Sequence, residues 1–139
     1  MKKYFKIVDM VCPHIYVKMG EWAWVYVDPR LQAVMVWVRE SLARPIYVNR
    51  FARHLTQRGV RCNLCSVVHE KTDKCECYLS PHLFGAACDF DVKGMTAWEV
   101  RDWIWQHQED LPYPVRLEKD VTWVHLDVFN STDRKVVLF

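Results

Sequence analysis

Glycine is scarce in this chain: four residues in 139, at Gly20, Gly59, Gly85 and Gly94, with no two close together. That excludes a glycine-rich phosphate loop, a dinucleotide fingerprint and a G-x-S-x-G elbow. An excess of one charge is also missing, because 19 Lys and Arg stand against 17 Asp and Glu for a net +2. Nucleic acid is therefore not expected as the main partner, since its binders usually carry a strong basic excess. No apolar run approaches the ~18 residues of a membrane span, so no membrane partner is expected. The opening Met1-Lys-Lys-Tyr-Phe-Lys-Ile-Val-Asp-Met10 is interrupted by Lys6 and Asp9 and has no small-residue cleavage site. It does not read as a secretory signal, and synthesis in a reducing cytoplasm is the expectation. Repeats, low-complexity runs and Gly/Ser linkers are lacking too, so residues 1–139 read as a single domain, expected to be a monomer. What is abundant is apolar mass: 51% of residues are hydrophobic, enough for a substantial core.

Asp28-Pro29 reads as a helix start, and Leu31, Val34, Met35, Val38 and Leu42 follow at helical spacing until Arg44-Pro45 stops them. Ile46–Asn49 reads as a short strand. Residues 50–81 show few periodic apolar positions and read as an irregular excursion, which in a compact domain is usually functional or pinned. A second strand spans Ala87–Val92. Thr96-Ala-Trp-Glu99 is a capping box, and Val100, Trp103, Ile104 and His107 continue one helical face. Strand-like segments Val115–Glu118, Val121–Val128 and Lys135–Leu138 close the chain. In the middle one, Val124, Leu126 and Val128 alternate with Trp123, His125 and Asp127. This order predicts an α+β fold with a mainly antiparallel sheet and packed helices.

Two segments carry ligand-capable residues on this outline. In Ser80-Pro-His82-Leu-Phe-Gly85-Ala-Ala-Cys-Asp89, a His ends a loop, a Gly permits a tight turn, and an Asp emerges on a strand. In Thr122-Trp-Val-His125-Leu-Asp127, a His points off one strand face. His82, Asp89 and His125 could converge as two imidazoles and a carboxylate, the three-ligand set of a catalytic zinc.

These residues resemble the zinc D-alanyl-D-alanine peptidase and endolysin superfamily, whose fold is shared with the Hedgehog signalling domain. Ser80, His82, Gly85, Ala87 and Asp89 fill its S-x-H-x-x-G-x-A-x-D motif without a gap, and Trp123-Val-His125-Leu-Asp127 fills its second motif. Pro45-Ile-Tyr-Val-Asn-Arg-Phe-Ala-Arg53 is similar to a third segment whose terminal arginine is expected to touch substrate, although Arg50-Phe-Ala replaces that segment's S-G-Y. The resemblance covers residues 29–128. It implies a Hedgehog/DD-peptidase-like fold and a zinc-dependent hydrolase that cuts an amide in peptidoglycan stem peptides or cross-links. It also implies zinc held by His82, Asp89 and His125, with Arg53 on the substrate. A compact lysin of phage or bacterial type acting at the bacterial cell wall would suit that chemistry.

The departure lies at the general base. Many relatives carry a carboxylate three residues before the last His, and Thr122 stands there. Asp120 is the candidate base, with Glu118 and Asp127 behind it; Asp127 could instead support His125. The missing carboxylate also leaves room for a non-catalytic zinc-containing module of the same fold.

Cys62-x-x-Cys65 with Cys75-x-Cys77 could bind a structural zinc that pins the excursion, stay as reduced thiols, or bridge after export. Cys12-Pro-His14 reads as a small buried thiol beside a turn, and Cys88 as core. His69-Glu70-Lys-Thr-Asp73 misses H-E-x-x-H at its last position. Among the seven tryptophans, Trp37 and Trp103 fit helical core stripes. Trp22 and Trp24 read as core or as a sugar-stacking platform.

Overall fold

Local chemistry sets the two longest helices. The helices are α1 (Ile7–Met10), α2 (Pro13–Met19), α3 (Pro29–Leu42), α4 (Ser66–Asp73) and α5 (Ala97–Gln106) in a computed structural model that describes residues 1–139. At the start of α3 the Asp28 carboxylate accepts from the Arg30 backbone N–H at 2.8 Å. Leu31, Val34, Met35 and Val38 of α3 form one buried stripe, and the helix ends at Ala43 in the left-handed region, just before Arg44-Pro45. The capping box opens α5: the Thr96 hydroxyl accepts from the Glu99 N–H, and the Glu99 carboxylate accepts from the Thr96 N–H at 2.7 Å. Val100 and Ile104 are buried, and Trp103 packs on Trp37 of α3 with ring centroids 5.3 Å apart. His107 departs from the expected face. It is exposed, with its ring stacked on Trp103.

The strands are β1 (Ile46–Tyr47), β2 (Ala87–Val92), β3 (Val115–Leu117), β4 (Val124–Asp127) and β5 (Val136–Leu138), most of them shorter than the alternation suggests. They form one mixed sheet in the order β1-β2-β4-β3-β5, antiparallel throughout except for the parallel pair β3 and β5. The chain is thus a single α+β domain. Alternation gives the sheet two chemically different faces. Cys88, Phe90, Val124, Leu126, Val115 and Leu117 are buried in the main apolar core with the stripes of α3 and α5. Asp89, His125, Asp127 and Arg116 share the other face, where three of the four are also buried.

The 50–81 excursion is more ordered than its sequence suggests. It contains α4 and a 3₁₀ turn at Phe51–Arg53. Only Val68 of α4 is buried, which explains why no apolar stripe betrayed the helix. The near-miss His69–Asp73 lies on its exposed side as an ordinary i,i+4 pair at 2.9 Å. Within the 3₁₀ segment Gly20–Tyr26, Trp24 is buried in the core and Trp22 is 83% exposed.

Candidate metal centre

The strand register brings two of the three expected ligands together. Asp89 on β2 pairs directly with His125 on β4, so both side chains leave the same face as immediate neighbours. The third arrives from the 3₁₀ turn Pro81–Phe84, which Ser80 caps and which Gly85 ends at φ +65°. No other residue suits position 85, since a side chain there would also collide with the Tyr26 carbonyl. Packing of this turn against β2 buries His82 beside the pair.

Three atoms converge on one point. His82 Nε2 lies 3.3 Å from His125 Nδ1 and 3.3 Å from Asp89 Oδ1, and His125 Nδ1 lies 2.7 Å from Asp89 Oδ1. A tetrahedral ion bound at about 2.0–2.1 Å separates its ligand atoms by about 3.3 Å; both separations from His82 Nε2 match, while His125 and Asp89 stand at hydrogen-bond distance and would part slightly to admit an ion. The outer atoms are arranged to match. His82 Nδ1–H donates to the Gly59 carbonyl at 2.9 Å, leaving Nε2 free to ligate. His125 Nε2–H donates to Asp127 Oδ2 at 3.3 Å, which frees Nδ1. Asp127 in turn accepts two bonds from Arg116, at 2.9 and 3.0 Å, and one from the Phe129 N–H. Asp89 Oδ2 accepts from Arg61 at 3.0 Å while Oδ1 faces the histidines. Such partners fix the ring orientation and tautomer of metal-binding histidines.

The ionisation of these groups follows from the same contacts. Burial pushes the His82 imidazolium down, so this ring is held neutral. For Asp89 burial opposes the charge, but the hydrogen bond from His125 outweighs it and keeps the carboxyl well below its usual range. Burial also opposes a charge on His125, yet bonds to Asp127 and Asp89 push it up to about 9. Without a metal His125 is thus a cation that donates from both nitrogens, and a bound metal would take the place of its Nδ1 proton.

A groove borders Asp89 and is walled by His54, Gln57, Arg58, Arg61, Thr122 and Trp123. Arg101 on α5 holds its far wall in place by donating to the carbonyls of Val121 and Trp123. Neither Asp120 nor Arg53 lines this groove. Asp120 occupies the turn between β3 and β4 at φ +58° and faces a separate depression with Trp98, Arg101, Trp105 and Lys119. Arg53 is exposed on its 3₁₀ turn, and its guanidinium makes no bond within the chain. Glu118 is half-buried just after β3, ahead of the β3–β4 turn.

Sequence reasoning missed Arg61 and Gly59. Arg61 donates to Gln57 O, Tyr78 Oη and Asp89, which commits it to holding the carboxylate rather than a substrate. Nothing local to R-C-N-L-C signals this, because Arg61 and Asp89 are 28 positions apart.

The cysteine grouping requires a correction. Cys75 and Cys77 are exposed and join no cluster; α4 carries the chain away after Cys65. Cys12 and His14 stand beside Cys62 and Cys65 instead, because the Val11–Val60 bridge lays the N-terminal segment against the excursion. The structure therefore contains two groups that could hold a metal: His82, Asp89 and His125, and Cys12, His14, Cys62 and Cys65. No protein-family model matches the chain, and neither curated proteins nor solved structures yield a match.

Proposed function

We propose that the chain is a zinc-dependent peptidase of the Hedgehog/DD-peptidase fold, cutting an amide bond in peptidoglycan stem peptides or cross-links at the bacterial cell wall. The observation that carries this reading is the convergence of His82 Nε2, Asp89 Oδ1 and His125 Nδ1 beside an open groove. Three protein ligands leave the fourth position of a tetrahedral zinc to water or substrate, the arrangement of a catalytic rather than a structural zinc. Bound there, zinc supplies a Lewis acid for the scissile carbonyl and a nucleophile at neutral pH.

The chain's own residues would perform the remaining work. Arg61 and Asp127 hold the ligating side chains in one orientation, so no reorganisation is needed when substrate arrives. Thr122, Trp123, His54 and Gln57, which line the groove, would confine the peptide. Arg53, unpaired and adjacent in sequence to His54, is the guanidinium free to meet a substrate carboxylate. Two side chains could carry the proton to the leaving amine: Asp120, which the resemblance suggests, and His54, which lines the groove.

A second reading, a non-catalytic zinc module, is favoured by Thr122 at the position of the usual carboxylate and by Asp120 facing away from the groove. Incubation of zinc-loaded protein with purified cross-linked muropeptides separates the two. New amine ends identified by mass spectrometry, abolished by a chelator and restored by zinc, are expected of the peptidase; intact muropeptides at full zinc occupancy would establish the module. His54→Ala and Asp120→Ala then assign the proton carrier, since its loss should remove one limb of the pH profile of kcat/KM.

A further inference from the structure

We propose a second metal site, a closed tetrahedral zinc centre formed by the thiolates of Cys12, Cys62 and Cys65 with Nδ1 of His14, which clamps the excursion onto the N-terminal helices. The side chains already stand at ligand spacing. Cys12 Sγ is 3.6 Å from Cys62 Sγ, and His14 Nδ1 is 3.6 Å from Cys62 Sγ and 4.0 Å from Cys65 Sγ. With zinc–sulfur bonds of about 2.3 Å and zinc–nitrogen bonds of about 2.0–2.1 Å, a tetrahedron has edges of about 3.8 Å and 3.6 Å. The four free side chains come as two short-spaced pairs, Cys12-x-His14 and Cys62-x-x-Cys65, from segments about 50 positions apart. Three soft thiolates and an imidazole select zinc over magnesium or calcium, and four protein ligands leave no open position. Cys12 and Cys65 are buried while His14 reaches the surface, which gives the ion a way in.

The surroundings show what such a clamp would do. Cys12, Cys65 and Val68 form a small apolar cluster of their own, separate from the main core. Beyond Arg61 only Cys65 and Val68 of the excursion are buried there, whereas Val60 and the Arg58–Asp91 pair tie the stretch before Arg61 to the main body, so a metal bond would add its free energy where the packing is thinnest. Binding is balanced by loss of three thiol protons to solvent, leaving a centre of net charge −1. The clamp also reaches the first site: Cys62 directly follows Arg61, and Gly59 lies two positions before that. The segment that holds Asp89 and His82 would thus be anchored at one end by zinc. The proposal stands apart from the peptidase reading, because its ligands are different.

Native mass spectrometry of protein purified under reducing conditions and loaded with zinc tests it. Two ions per chain are expected in wild type and in Cys75→Ser/Cys77→Ser, and one in Cys62→Ser. His82→Ala should keep one. A single ion that survives His82→Ala and is lost in Cys62→Ser would sustain this site and sink the other. Should Cys62→Ser not fold, cobalt(II) in place of zinc gives an independent reading: a thiolate-to-cobalt charge-transfer band that persists in His82→Ala. A single zinc lost with His82, a zinc lost with Cys75 and Cys77, iron with labile sulfide, or cobalt spectra without a thiolate band would each overturn the proposal.

Discussion

Asp127→Asn changes one oxygen to an amide at a fully buried position and tests whether the shell around the candidate metal centre does what the geometry implies. Asp127 accepts four hydrogen bonds: Oδ1 takes the Arg116 Nε–H and the Phe129 N–H, and Oδ2 takes the Arg116 Nη2–H and the His125 Nε2–H. An asparagine has one acceptor oxygen. If that oxygen keeps the Oδ1 position, its NH₂ faces His125 Nε2–H, and the ring must shift its proton to Nδ1, the atom aimed at the metal. If the oxygen takes the Oδ2 position instead, the Phe129 N–H loses its partner. Removing the support of a metal-binding histidine typically costs 10–100-fold in affinity, or about 1.4–2.7 kcal/mol. The broken Arg116 pair should lower the stability of the metal-free fold as well. Because Arg116 is 31% exposed, that loss is about 1–3 kcal/mol rather than the about 3–5 kcal/mol of a fully buried pair. Zinc competition against a chromophoric chelator, followed by urea unfolding in EDTA, measures the two effects separately. Zinc affinity equal to wild type in a folded Asp127→Asn protein would refute the reasoning.

Gly59→Ala should be costly for a purely steric reason, since a Cβ at that position collides with the Met10 carbonyl oxygen. A loss of about 1–3 kcal/mol is expected, and zinc affinity should fall with it because the Gly59 carbonyl orients His82; a thermal melt and a zinc titration unchanged from wild type would contradict this. Thr96→Ala removes the cap of α5, a helix that contributes no residue to either metal group. About 1 kcal/mol of stability should disappear with zinc content unaltered, and a change in zinc content would show that the helix and the site are coupled. For pH, His125 is held up to about 9 in the metal-free fold, above its ordinary value, so its contribution is fully present below about 6.5 and is lost as pH rises through about 9. The difference in unfolding free energy between wild type and His125→Asn, measured in EDTA, should therefore shrink across that window. A difference that grows would reverse the assigned sign.

Much of the frame was legible because it is encoded locally. Asp28-Pro29 and the Thr96–Glu99 box announce their helices through caps that need only neighbours in sequence. The β4 alternation correctly separates Val124 and Leu126 from His125 and Asp127. His82, Asp89 and His125 were readable from motif spacing, and the structure brings all three to one point. What remained hidden depends on contacts between distant segments. Arg61 matters only once the excursion folds against β2, and Cys12 with His14 joins Cys62 only through the Val11–Val60 bridge. Grouping Cys75 and Cys77 with Cys65 treated the intervening residues as a loop, when they form α4. Asp120 sits in a left-handed turn that sets it at the neighbouring depression, a placement that its distance along the chain from His125 does not reveal.

The central claim is that His82, Asp89 and His125 hold a zinc ion that cuts peptidoglycan amides. The most direct test pairs zinc occupancy with amine release from purified peptidoglycan for wild type, His82→Ala and Asp89→Asn in the same preparation. The expected result is cleavage by wild type, and in both variants the loss of all activity together with one of the two zinc ions per chain. Cleavage that survives when His82→Ala has lost its zinc, or a wild type that binds no zinc at this site, would contradict the account.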